Sequence, residues 1–127
     1  MKIIERGELL KEIKLAVPTK GGGGLEDVIS DVFGRAETFT IIDMEGKDVK
    51  RVEVIRNPAV SYKHGAGPIV VKMLIDSGVN VVLSGELGPG SSALLEQHNV
   101  TMITVKPGIS VSEAIRKVSW STIDIRI

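Results

Sequence analysis

Pro68-Ile69-Val70-Val71-Lys72-Met73-Leu74-Ile75-Asp76-Ser77-Gly78-Val79-Asn80-Val81-Val82-Leu83-Ser84 carries a helix, its stop and a buried strand in one uninterrupted run. Ile69, Val70, Met73 and Leu74 recur at one-, three- and four-residue steps, the spacing of one helix face. Pro68 suits the first helical position, and Gly78 the position after the last, where a left-handed residue ends the helix. Val79 to Ser84 is then nearly all apolar, as a strand covered on both faces requires. A helix followed at once by a doubly covered strand points to an α/β sheet with helices on it.

The flanking sequence extends the pattern. Val100 to Val105 reads as a second covered strand. Pro89 to His98 lies between the two as a short helix, with Asn99 as its left-handed stop. Ser110-Val111-Ser112-Glu113 matches a capping box and opens a third helix through about Val118. Right-handed crossovers make these strands parallel. Toward the amino end, Ile13 to Pro18 reads as a strand running into the mobile loop Gly21 to Gly24, and Leu25 to Arg35 as one irregular turn of helix. Thr38 to Asp43 and Val49 to Arg56 are β-branched runs joined through Gly46, hence an antiparallel pair, and Asn57-Pro58 ends that ladder. The predicted sheet is mixed. Thr122 to Ile127 alternates strictly, as an edge or exchanged strand would, pairing with Met1 to Glu12 or with another subunit. The segments divide into an extension at 1–12, a domain at 13–118 and a carboxyl-terminal extension at 119–127 that reads as an edge strand.

Composition restricts the function. The 127 residues suit a single domain, and 16 Lys and Arg balance 16 Asp and Glu, so no global basic field exists to hold nucleic acid or a membrane surface. Four aromatic side chains, Phe33, Phe39, Tyr62 and Trp120, leave little with which to stack bases. The absence of cysteine excludes disulfides, thiolate metal sites and a cysteine nucleophile together. Neither a secretory signal nor an apolar span is found at the amino end, so a cytoplasmic location is expected.

The chemistry-bearing residues fall on one rim. Strands one, three and four point the same way. After them come Gly21 to Gly24, then Tyr62-Lys63-His64-Gly65-Ala66-Gly67-Pro68, then Gly85-Glu86-Leu87-Gly88-Pro89-Gly90-Ser91. Open α/β sheets bind ligands at such carboxyl ends, and two of the segments lead into helix amino termini, which favour an anion. Each piece also has a structural reading. Gly21 to Gly24 lacks both GxGxxG and GxxxxGK[ST] spacing and suits a flexible loop. Gly85 reads equally as close backbone approach and Gly88 as helix entry, while Glu86 would repel an anion. His64, before two glycines at a helix start, suits a neutral ligand or proton donor, or a loop histidine satisfied by its neighbours. His98 sits where a cation complements a helix carboxyl end. The basic residues Lys47, Lys50, Arg51 and Arg56 are interleaved with acids and read as a solvated face. No GxSxG elbow surrounds a serine, and no cluster of carboxylates sits on adjacent strand ends for a two-metal centre.

Leu15-Ala16-Val17-Pro18, Phe33-Gly34-Arg35-Ala36, Asn57-Pro58, His64-Gly65-Ala66-Gly67 and Gly85 through Gly88-Pro89 stand in an order and spacing that resembles the dinitrogenase iron-molybdenum cofactor biosynthesis family, the small NifX-like domain. The resemblance covers about Ile13 to Val118. It implies a ribonuclease H-like α/β fold with a mixed five-stranded sheet, and a protein that binds or carries iron-sulfur and iron-molybdenum cluster precursors without catalysing a reaction. It also implies His64 as the metal ligand, with Gly65, Gly67, Arg35, Gly85 and Gly88 around the cofactor, and a cluster donor or acceptor protein as partner. The sequence departs from the family at Val32, where His commonly precedes Phe-Gly-Arg. Without cysteine, an intact cluster falls to His64, backbone amides and Arg35, or to sharing within a homo-oligomer. Two other readings fit the same residues: an enzyme acting on anions or phosphate esters at this rim, and an assembly protein whose rim is vestigial.

Overall fold

A computed structural model describes residues 2–3 and 9–123 of the chain. Two short strands, β1 (Lys2–Ile3) and β2 (Leu9–Leu10), pair antiparallel. The main sheet follows: β3 (Glu12–Thr19), β4 (Thr38–Glu45), β5 (Asp48–Arg56), β6 (Val81–Ser84) and β7 (Thr101–Thr104). Its spatial order is β5-β4-β3-β6-β7, with β3, β4 and β5 antiparallel in turn and β3, β6 and β7 parallel. The expected open, mixed, five-stranded α/β sheet is therefore present, and β3, β5 and β6 run the same way.

Burial explains that order. On β3, Ile13, Leu15 and Val17 point to one face and Ala16 to the other, and on β6, Val81 and Leu83 oppose Val82 in the same way. Every residue of β6 is buried, so both faces of the centre must be covered. Helices α1 (Ala66–Asp76) and α2 (Pro89–Gln97) cover one face, where Val70, Val71, Leu74 and Leu95 meet Phe39 and Ile41. Fully burying such side chains contributes about 1.5–3 kcal/mol each. Helix α3 (Val111–Lys117) covers the other face with Val111, Ala114 and Ile115.

The helix signals hold with one shift. Gly78 (φ 83) and Asn99 (φ 60) are the left-handed stops after α1 and α2, and Ser110 accepts the Glu113 N–H at the start of α3. Pro68 occupies the third position of α1, because Gly65, itself left-handed, supplies the cap two residues before the expected one. Between β4 and β5, Gly46 (φ 58) has the positive φ that a tight hairpin needs. A register shift leaves Lys50 as an extra residue of β5.

Three segments differ from expectation. β7 is the outer strand beside β6, and its residues are half-buried or exposed rather than covered on both faces. Val28-Ile29 is extended: Ile29 bridges Thr19, Val28 bridges Ser110, and the Ile29 N–H reaches the Ile109 carbonyl. Two β-branched residues with backbone partners on both sides favour this over a helical turn. At the carboxyl end, Trp120–Thr122 forms a 3-10 turn rather than the beginning of a strand, and residues 124–127 of the expected edge strand lie outside the described residues. Trp120 turns inward from this segment, 6% exposed in the α3 core, and its Nε1–H donates to the Ile115 carbonyl at 3.0 Å. Lys11 Nζ donates to the Ile123 carbonyl at 2.7 Å, so the segment between β2 and β3 adjoins the residue after the 3-10 turn. Trp120→Ala is expected to destabilise the domain by about 3–5 kcal/mol, and Trp120→Phe by less because the ring volume stays. Denaturant unfolding followed by circular dichroism checks both.

Candidate functional site

The loop after β5 and the segment before β4 meet because of Asn57. This buried side chain donates from Nδ2 to the Gly34 and Ala36 carbonyls, both at 2.9 Å, and accepts the Ala59 N–H at Oδ1 at 2.8 Å. Its three bonds tie 34–36 to the strand end that leads into His64. Phe33 anchors the same segment from below, its ring edge-on to Phe39 at 5.4 Å between centroids. Above, Arg35 Nη2 donates to the Lys63 carbonyl at 3.0 Å, which sets the guanidinium beside the His64 loop.

Missing side chains close the junction. A Cβ on Gly34 would stand 3.2 Å from the Gly67 backbone nitrogen, and one on Gly67 would stand 2.5 Å from Ser91 Oγ. The Phe-Gly-Arg segment, the first turn of α1 and the first turn of α2 therefore approach closely with glycine at two of the contacts. Between them lies an open depression of about 570 Å³, lined by Val32, Arg35, Lys63, His64, the start of α1 and Ser91. Neither α1 nor α2 has a side-chain cap, and neither first turn holds an acid. Helix-start N–H groups, three basic side chains and no carboxylate thus border the same space, an environment suited to an anion. His64, Lys63 and Arg35 are all exposed.

Of the expected cofactor-binding residues, His64, Gly65, Gly67 and Arg35 gather here. Gly88 is the residue before α2 and faces open space, while Gly85 is buried with its α-carbon against Pro107, where a Cβ would approach the ring to 2.7 Å. Gly85 thus makes the close backbone approach, and Glu86 is not among the residues of the depression. His98 ends α2, its N–H bonded to the Leu94 and Leu95 carbonyls.

The four-glycine loop has a different office. Asp27 turns its carboxylate into it: Oδ2 accepts the Gly21 and Gly23 N–H at 2.9 and 2.8 Å, and Oδ1 accepts the Val28 N–H at 2.8 Å. The Gly24 N–H is taken by Thr40 Oγ1 at 2.9 Å. Thr40 belongs to a buried hydroxyl cluster with Thr19 and Thr38, and Thr38 Oγ1 donates to the Gly21 carbonyl. This loop is a fixed anion nest already holding the chain's own carboxylate, and its glycines line none of the depression described above.

A family profile described as dinitrogenase iron-molybdenum cofactor matches residues 11–120. The chain belongs to that family. The dinitrogenase iron-molybdenum cofactor family thus spans all five strands of the main sheet and all three α-helices. Among relatives, an uncharacterised protein of Methanocaldococcus jannaschii is 27% identical over 107 residues, 84% of this chain and 86% of its own. Among solved structures, the apo form of the orange protein from Desulfovibrio gigas is similar at 27% identity and a TM-score of 0.75, covering 91% of this chain and 94% of that one. A Thermotoga protein of the DUF35 family is 32% identical with a TM-score of 0.67, over 82% and 84% of the two chains.

Asn57, Ser91 and Asp27 are the residues whose roles the sequence reading missed. In the sequence Asn57 reads as a ladder end and as part of the Asn57-Pro58 motif, neither of which shows its amide's partners, and an acid six residues after Gly21 is an ordinary local signal for a carboxylate returning onto loop amides. Asn57→Ala would strand two carbonyls and one N–H, and is expected to cost roughly 1–3 kcal/mol or more, with Val32 to Ala36 losing amide protection first in hydrogen exchange. Asp27→Ala is expected to cost about 1–3 kcal/mol and to raise exchange at Gly21 and Gly23, while leaving exchange in α1 unchanged.

Proposed function

We propose that this chain is a non-enzymatic binding or carrier module for an anionic iron-sulfur or iron-molybdenum cluster precursor, held in the depression between Val32 to Arg35 and the start of α1. The observation that carries the reading is the make-up of that depression: one imidazole, the cations Arg35 and Lys63, the uncapped start of α1, Ser91 of α2 and no carboxylate. Family membership supports it.

The donor set decides which form of metal fits. Among the described residues, no group of three or more His, Cys, Asp or Glu side chains could hold a metal ion, so chelation of a bare cation by side chains is a poor fit. A preassembled cluster brings its own inorganic ligands and a negative charge. For such a cargo His64 offers one metal–nitrogen bond, Arg35 and Lys63 offer charge, and the uncapped start of α1 offers the positive end of its dipole. A shallow seat with a single protein ligand suits handing on to an acceptor protein better than permanent storage. None of the described helices is long and apolar enough to cross a membrane.

Val32 deepens the test. It is 49% exposed and lines the same depression as His64, so the position at which the sequence departs from the resembled pattern's histidine adds apolar surface. Anaerobic incubation with a synthetic iron-sulfur cluster, desalting, and metal analysis with absorption spectra should show retention by the wild type. Retention should fall about tenfold or more in His64→Ala and rise in Val32→His, where a second imidazole borders the seat. Equal retention by wild type and His64→Ala, or by neither, would count against the proposal.

A further inference from the structure

The outer strand β5 carries an independent feature. Among the described residues it pairs only with β4, so its other side offers unpaired N–H and C=O groups. Val52 and Val54 lie opposite Ile42 and Thr40 on one face, with Val49 opposite Met44 beyond the bulge. These three valines are 37%, 42% and 37% exposed at positions 52, 54 and 49. On the other face Arg51 and Glu53 project side by side, Nη2 to Oε2 3.3 Å, both exposed.

We infer that β5 is a self-pairing edge, on which a second copy of the chain adds its own β5 antiparallel about Val52 and joins the two sheets into one. The charges select that register. Centred on Val52, Arg51 of each copy faces Glu53 of the other, giving two opposite-charge pairs across the two-fold axis, with Val52 against Val52 on the valine face. Centred one residue earlier or later, on Arg51 or Glu53, the edge sets that charge against its own copy. Parallel in-register pairing does so at both positions. The regular strand runs from Arg51 to Arg56, beyond the bulge at Lys50, so the Arg51 to Glu53 heart of the pairing is undistorted. Each copy keeps its own His64 depression, and antiparallel pairing turns the two rims in opposite directions along the strands. The inference does not depend on what the depression binds.

Sedimentation velocity and light scattering on the full chain, over a wide concentration range at low salt, test it. The wild type should move from its 13.6 kDa monomer to twice that mass as concentration rises. Arg51→Glu should raise the dimer dissociation constant roughly tenfold by turning both cross-strand pairs repulsive. The swap of Arg51→Glu with Glu53→Arg restores opposite charges in the same register, and should recover the dimer. Circular dichroism of each variant confirms that the fold is kept. A wild type that stays monomeric throughout, or a dimer indifferent to Arg51→Glu, overturns the inference, as does failure of the folded double variant to recover.

Discussion

The structure depends on the burial of β3 and β6 from both sides. A strand pair with apolar side chains on each face has no solvent-facing surface to spend, so α1 and α2 must lie on one side and α3 on the other. That requirement makes the parallel connections crossovers, and crossovers bring successive helix starts to the carboxyl ends of the strands. The depression at His64 thus arises where two of those helix starts, α1 and α2, are drawn together over the same sheet face.

Covering the sheet places the helix starts, and glycine lets them touch. Gly34 against Gly67, and Gly67 against Ser91, are close contacts where a β-carbon would crowd the backbone at the first and push the Ser91 hydroxyl aside at the second. The same economy explains why Asn57 is buried there. A bend that tight leaves carbonyls turned inward, and one amide side chain answers two of them while accepting an N–H of its own loop. Among the described residues no buried side-chain nitrogen or oxygen is left without a partner. The site is shaped by backbone proximity, and its charged groups stand outside that framework in solvent.

The elements legible in the sequence were those decided by local pattern. The α1 face, the Gly78 and Asn99 stops, the Ser110 cap and the covered run Val81 to Ser84 all depend on residues near one another in the chain. Four of the expected site residues, His64, Gly65, Gly67 and Arg35, also gather as expected, because the strand directions place their segments on one rim. What escaped depends on long-range partners. Val28-Ile29 becomes extended because β3 and the 109–110 segment supply its hydrogen bonds. Gly21 to Gly24 is held in place by Asp27 and Thr40, which take the Gly21, Gly23 and Gly24 amides. Gly85 turns toward Pro107 rather than into the depression. For Val28-Ile29 and Gly85 spacing along the chain carries no record of the partner, whereas Asp27 is a local partner, four residues from Gly23.

The placement of Trp120 has an optical consequence. It is the single indole, sealed in the core beneath α3, whereas the depression lies on the α1 and α2 side of the sheet. The single phenol, Tyr62, is 46% exposed on the loop that leads into His64. The two chromophores therefore sit in different dielectric surroundings on different parts of the molecule. Indole emission reads out the integrity of the α3 layer, and phenol absorbance reads out solvent access at the entrance loop, so one unlabelled sample reports on both.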